Sequence, residues 1–416
     1  MCRYWRESII SAPENWTLVS LCSRNLAALT LERSKAAPLH LCVHRPWVAD
    51  HEAMFCDLIT PYVQNIETLG FWDLITIEDL IRVLPNFPQS TPNLRSLELY
   101  HEDDESQWDP STDPFEFFPN ALTSLTLYEI PLYPSFLKLR TLTKLSLHYY
   151  MIHVPPDYLL DFLEENRSLE SVDLKIDFEE FPVHVPRRRV VTMDRLQRLS
   201  ITFWEAETGR TLISNISLRR GAHLDITFYG QEMDLGLNDI LSDITVTHLS
   251  NLSSPTFMRY RSSPREVQLI GPNGSFFYDR GLNTGPPFVE FSVLPLADIR
   301  ELSLSYSHPS MVFHPSHFPA LETLTVWRDT DVSLLLSALF PDPSFFPSLK
   351  SLKFTDCSLT EKFMEELTRF ASDRKNTTSA WLHHVVITGK GGDLPTAASV
   401  RELERHVPVV DVRFGD

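Results

Sequence analysis

Tyr100, Tyr128, His148 and Trp327 each directly follow the last aliphatic residue of a phrase that recurs along the chain, and Trp204 reaches the same side if the alternation is continued. Large, stiff aromatic side chains of this kind concentrate binding energy at interfaces. The positions between the aliphatic residues are mostly small hydroxyls, as in Ser96/Glu98, Ser124/Thr126 and Ser351/Lys353. The expectation is that Tyr100, Tyr128, His148, Trp204 and Trp327 line a partner-binding surface. Small Ser and Thr residues would also suit a tightly curved parallel sheet, with loops partly covering the aromatics. Motifs for covalent chemistry are thin. Gly389-Lys390-Gly391-Gly392 lacks the upstream glycine of a phosphate loop, because His384 occupies that position. His383 and His384 fall in a strand where neighbours point oppositely, so they would not share a metal. The acidic run Glu102-Asp103-Asp104-Glu105 reads as a solvated loop. No catalytic, cofactor or metal site is expected, and the chain reads as a non-enzyme.

The phrase that positions these side chains is Leu-x-x-Leu-x-Leu. It is complete at Leu94/Leu97/Leu99, Leu122/Leu125/Leu127 and Leu142/Leu145/Leu147. Variants follow at Leu169/Val172/Leu174, Leu196/Leu199/Ile201, Ile299/Leu302/Leu304, Leu321/Leu324/Val326 and Leu349/Leu352/Phe354. The starts at 94, 122, 142, 169 and 196 lie 28, 20, 27 and 27 residues apart, and those at 299, 321 and 349 lie 22 and 28 apart. Repetition at this period around a short alternating strand marks a leucine-rich repeat. Period-two alternation puts Leu97 and Leu99 on one strand face. A lone strand cannot hide them, but the next coil can, so stability accrues between neighbours. The fold class expected is therefore α/β, a leucine-rich-repeat solenoid with a curved parallel sheet on the concave face and helices and loops on the convex face. Helices are predicted at Asp50–Val63, Ile77–Val83, Asp157–Glu165, Val332–Leu339 and Glu361–Ser372, the last capped by Thr360 with Phe363, Leu367 and Phe370 on one face.

The formal charge of −18 over 416 residues disfavours nucleic-acid phosphate and anionic membrane as main partners. The basic run Arg187-Arg188-Arg189 reads as a loop, with a nuclear-import signal as the minor option. Five cysteines without a CxxC pair point to reduced thiols and a cytoplasmic or nuclear location. Apolar runs are too short to span a bilayer, and the N-terminus lacks the apolar core of a secretory leader. The six Asn-x-Ser/Thr sequons, at Asn15, Asn166, Asn215, Asn251, Asn273 and Asn376, are accordingly read as unmodified. Residues 1–20, helical up to Pro13, differ in texture from the array over 21–416. Within that array, 229–298 is irregular, and the turn-rich stretch from Gly271 to Pro287 reads as turn and loop. Strand-like pieces at Leu382–Ile387 and Val407–Val412 suggest a C-terminal cap over about 381–416.

The opening residues Cys2-Arg3-Tyr4-Trp5-Arg6, followed by Ala12-Pro13-Glu14-Asn15-Trp16, resemble the end of an F-box. That motif closes with V-C-x-x-W-R, a short helix and P-x-L-W; Asn15 stands where Leu is usual. With the repeats and the stretch Val267–Phe276, the whole chain is similar to fungal, basidiomycete-type F-box/leucine-rich-repeat-like proteins. The resemblance implies the substrate-binding part of a ubiquitin-ligase receptor, with protein partners on the concave face. Cys2, Trp5, Arg6, Pro13 and Trp16 would be the remnant on the adaptor side. The sequence starts after the L-P-x-E-I-L helix of an F-box, so an adaptor would need a longer N-terminus. Residues 2–16 also read as a hydrophobic cap, with Trp5 and Trp16 packed on Leu18 and Leu39. The alternative function is a stand-alone repeat scaffold or sensor with no ligase link; a third, an enzyme using the irregular middle, is the least favoured.

Overall fold

A computed structural model describes residues 3–44, 52–72, 91–101, 113, 121–130, 132–149, 156–176, 190–204, 206–229, 255, 257–262, 265–272, 274–280, 294, 296–305, 317–327, 346–357, 360–377, 381–389 and 395–414. The helices expected at Ile77–Val83 and Val332–Leu339, the Arg187 run and the Glu102 cluster lie outside them. The architecture is α/β with extensive parallel sheet, grouped into two compact units, Met1–Leu196 and Gln197–Asp416.

In the first unit the order is α1 (Arg3–Ser11), β1 (Leu18–Ser20), α2 (Arg24–Ser34), β2 (Leu39–Val43), α3 (Glu52–Ile59) and β3 (Ile66–Phe71). It continues with β4 (Ser96–Tyr100), β5 (Ser124–Tyr128), β6 (Lys144–Tyr149), α4 (Pro156–Glu165), β7 (Ser171–Ile176) and β8 (Val191–Met193). Strands β1 to β7 lie side by side in chain order, every pair parallel. The register aligns the repeated phrase with itself. Leu97, Leu125, Leu145 and Val172 form one row and Leu99, Leu127, Leu147 and Leu174 the next, all buried. Leu94, Leu122, Leu142 and Leu169, which open each phrase, are buried too. A one-residue slip would move every leucine to the wet face, so the alternation itself fixes this register. Directly after β5, Glu129 adopts a left-handed φ of 51° as the chain leaves the sheet. Two sequon asparagines are interior. Asn166 is fully buried, its side-chain amide donating to the Phe162 carbonyl, and Asn215 donates likewise to Thr211.

The second unit contains β9 (Arg198–Phe203), α5 (Ala206–Ser214), β10 (Ile216–Leu218), β11 (His223–Phe228), β12 (Phe257–Ser262), β13 (Arg265–Gly271) and β14 (Gly274–Arg280). Then come β15 (Glu301–Ser305), β16 (Thr323–Trp327), β17 (Ser351–Thr355), α6 (Glu361–Thr377), β18 (His384–Gly389), α7 (Ala397–Glu404) and β19 (Val409–Phe414). From β15 to β19 the strands are again parallel and consecutive, with Leu304, Val326, Phe354 and Ile387 in one buried row. The irregular middle departs from expectation. Within the loop predicted over 271–287, the turn between Gly271 and Gly274 is as expected, residues 274–280 are a strand, and 281–287 lie outside the described residues. β12, β13 and β14 form an antiparallel meander, with β14 parallel to β11 and β12 parallel to β15. The chain thus passes two strand positions, doubles back beside β11 and then moves on. Helix α6 outlasts its predicted end at Ser372 by five residues. Its start is as expected, with the Phe363 amide donating to Thr360 Oγ1 at 3.2 Å. Among the described residues, no helix is long and apolar enough to cross a membrane.

Candidate functional site

The sheet face opposite the leucine rows carries the predicted aromatics. Register alignment of Tyr100, Tyr128, His148 and Lys175 puts the strand exits of the first unit in one line. One step past the pairing of Phe71 with Leu99, Trp72 joins that line. The rings stack in succession: Trp72 on Tyr100 with centroids 4.4 Å apart, Tyr100 on Tyr128 at 5.8 Å, and His148 tilted against Tyr128 at 5.7 Å. His44 extends the line beyond Trp72 at 6.5 Å. Each such contact contributes about 0.5–1.5 kcal/mol beyond area burial. Ring faces are covered by neighbouring rings and the Trp72 indole nitrogen is buried over Gly70, so ring edges are what the row chiefly offers; all four side chains from Trp72 to His148 are half-buried. The sequence reading found Tyr100, Tyr128 and His148 but missed Trp72 and His44. Both were accessible by extending the Leu39/Leu41/Val43 and Ile66/Leu69/Phe71 alternations one residue.

Beneath this row, Cys42, Gly70, Glu98, Thr126, Ser146 and Asp173 align across the strands. Glycine at position 70 makes room for the Trp72 indole, since a Cβ there would meet the indole nitrogen and force the ring to shift. Burial raises the Glu98 carboxyl above its ordinary range, partly countered by His40. Burial, and then the charge of Glu98, push the Cys42 thiol and the Tyr100 phenol up. Since the folded state holds the Glu98 proton more tightly than the unfolded chain, its contribution to stability is greatest at acid pH. That contribution is lost as pH rises through the folded-state value. Glu98→Gln should therefore melt above wild type at pH 7, with the gap closing below the usual carboxylate range in melts taken across pH. Water reaching the half-exposed group holds the gain under about 1 kcal/mol. A variant less stable than wild type at pH 7 would show that the carboxylate is already compensated.

His148 receives Ser146 Oγ at 3.0 Å and Asp173 Oδ2 at 3.3 Å, but both reach the same ring nitrogen, Nε2. A nucleophilic relay needs its hydroxyl and its carboxylate on opposite nitrogens, so this trio orients the ring and does no more. In the second unit His223 does meet them on opposite nitrogens, with Ser275 Oγ at Nδ1 and Asp225 Oδ2 3.4 Å from Nε2. There Asp225 is shared with Arg198 at 3.1 Å, and the Ser275 amide, which acyl transfer would direct at an oxyanion, donates to the Ala222 carbonyl. Among the described residues no group of three or more His, Cys, Asp or Glu could hold a metal ion.

The five predicted surface residues are divided between the two units. Tyr100, Tyr128 and His148 come together in the first unit. Trp204 and Trp327 belong to the second, at opposite ends of the run β9, β11, β14, β13, β12, β15, β16. Six strand steps of about 4.8 Å separate them, roughly 29 Å. Trp204 stacks on Tyr229, centroids 5.4 Å apart, and the Trp327 indole donates to the buried Ser303 Oγ at 2.8 Å. Tyr150, placed on this face by the same alternation, lies outside the described residues.

At the N-terminus, Cys2 and the Trp5 side chain lie outside the described residues. Arg6 is exposed on α1, and Pro13 opens a 3-10 turn, Pro13–Trp16. Trp16 donates to the Ile9 carbonyl at 2.9 Å and lies 4.5 Å beneath the Arg33 guanidinium. The expected packing of Trp16 on Leu18 is overturned: Leu18 is 67% exposed, because it faces the same side as His40 and not the core. Compared with protein-family models and with curated proteins, the chain finds no match.

Proposed function

We propose that this chain is a non-enzymatic protein-recognition module, a leucine-rich-repeat solenoid whose concave sheet face docks a partner. The observation that carries the reading is the half-buried row Trp72, Tyr100, Tyr128 and His148, set shoulder to shoulder on consecutive strands. Buried leucine rows in register across parallel strands support the repeat assignment. The geometries at His148 and His223 argue against acyl transfer at those two histidines. The interior positions of Asn166 and Asn215 close those two sequons to glycosylation, in keeping with the cytoplasmic or nuclear location proposed here.

The resemblance of residues 2–16 to the end of an F-box gives the module its place: the substrate-binding part of a ubiquitin-ligase receptor. A stand-alone scaffold is the alternative. One experiment tests both levels. Proteins co-purifying from the source cells are compared for wild type and for Tyr100→Ala/Tyr128→Ala, with circular dichroism verifying the fold. Interface aromatics of this kind cost about 2 kcal/mol each when truncated, or roughly 30-fold in affinity, so specific partners should vanish from the double variant. A ligase adaptor recovered with both proteins supports the receptor, and its absence from both supports the scaffold. Identical partners on a folded double variant overturn the docking surface.

A further inference from the structure

Glu98 is an anomaly on this face. It sits mid-strand on β4, half removed from water, directly below Tyr100 and beside the Gly70 position that the Trp72 indole covers. Among the described residues no lysine or arginine pairs with it; the charged influence it feels is that of His40. Three carboxylates elsewhere on the sheet faces are matched: Asp173 by His148, Asp225 by Arg198, Asp411 by Arg413. A carboxylate drawn partly out of water without a cation costs stability, and an incoming cation recovers that cost.

The surroundings restrict what the cation can be attached to. The stacked edges of Trp72, Tyr100 and Tyr128 offer an apolar wall against which the methylene stem of a long cationic side chain can lie while its head reaches Glu98. The hydroxyls of Ser96, Ser124 and Thr126 around it suit the polar groups of a polypeptide. The net charge of −18 steers basic partners toward the chain and phosphate-rich ones away.

We infer that the face of β3, β4 and β5 takes a basic protein segment, with one Lys or Arg side chain of the partner pairing with Glu98 against the Trp72–Tyr100–Tyr128 row. This rests on the docking-surface reading above and names its partner's chemistry. The test is a selection of random dodecapeptides displayed on phage against the full-length chain, repeated on Glu98→Gln, Glu98→Lys and Tyr100→Ala. Wild type should enrich peptides carrying Lys or Arg. A synthetic copy of the best one should bind Glu98→Gln at least 10-fold more weakly, with hydrogen exchange slowed in β3–β5 of wild type. Glu98→Lys should turn the preference toward Asp and Glu. Peptides that lose affinity on Tyr100→Ala but bind Glu98→Gln as well as wild type overturn the cation pairing and leave the docking surface standing. An absence of selected peptides, or peptides indifferent to Tyr100, overturns both.

Discussion

Leu127→Ala is expected to destabilise the first unit by about 3–4 kcal/mol, within the range for a leucine truncated where neighbours cannot collapse into the space. Leu127 has no exposed surface and lies in register between Leu99 and Leu147. Each strand of this unit hides its leucines only against the strands beside it. The loss should therefore spread to β4 and β6 and no further than the array transmits it. Hydrogen exchange read on peptides covering β4–β6 should accelerate by roughly 100-fold or more, as the free energy of local opening falls. Thr126→Ala, one residue away on the opposite face, should cost less than about 1 kcal/mol. Equal costs for the two variants would mean that the alternation does not divide a dry side from a wet one, and the docking surface would lose its basis.

Strand placement and register were legible because one physical rule produces both. A leucine phrase repeated with alternation specifies its own strand, and it pairs with its copy because only that pairing buries both. The meander was illegible for the complementary reason. β14 carries Ser275-Phe276-Phe277-Tyr278 behind a Gly-Pro-Asn-Gly turn, and nothing in that local pattern says whether the strand pairs forward, backward or parallel. Helix α2 escaped notice because its buried face is Ala27, Thr30, Leu31 and Ser34, too small and polar to register as an apolar stripe. At the site, the sequence supplied the aromatic residues but not their grouping. Trp204 and Trp327 share the strand-exit position with Tyr100, yet within the second unit strand order, which depends on long-range pairing, sets Trp204 far from Trp327.

Arg374 supplies the second large effect, and it too was invisible in sequence, where a charged residue reads as the end of an apolar face. In α6 it continues the buried line of Phe363, Leu367 and Phe370 and has no exposed surface. Its Nη2 donates to the carbonyls of Phe346 and Leu349, each at 3.2 Å, and its guanidinium lies 5.6 Å from the Phe370 ring centre. Burial lowers its pKa below the ordinary arginine value. Phe346 holds a left-handed φ of 53°, a conformation costing a non-glycine residue about 1–2 kcal/mol. The arginine thus pins a strained turn that delivers Leu349 into the core and the chain into β17. Arg374→Ala should cost about 3–5 kcal/mol, the lost hydrogen bonds to interior carbonyls added to the cavity that the deleted side chain leaves. Arg374→Met separates the causes. It keeps most of the volume but takes this donor from the Leu349 carbonyl, at about 1–3 kcal/mol, while the Phe346 carbonyl still accepts from the Leu349 amide, so it should recover only part of the loss. Urea unfolding of the three proteins, followed by hydrogen exchange in β17 and α6, makes the comparison. A methionine variant as stable as wild type would show that shape alone holds this corner and that the two hydrogen bonds contribute nothing net.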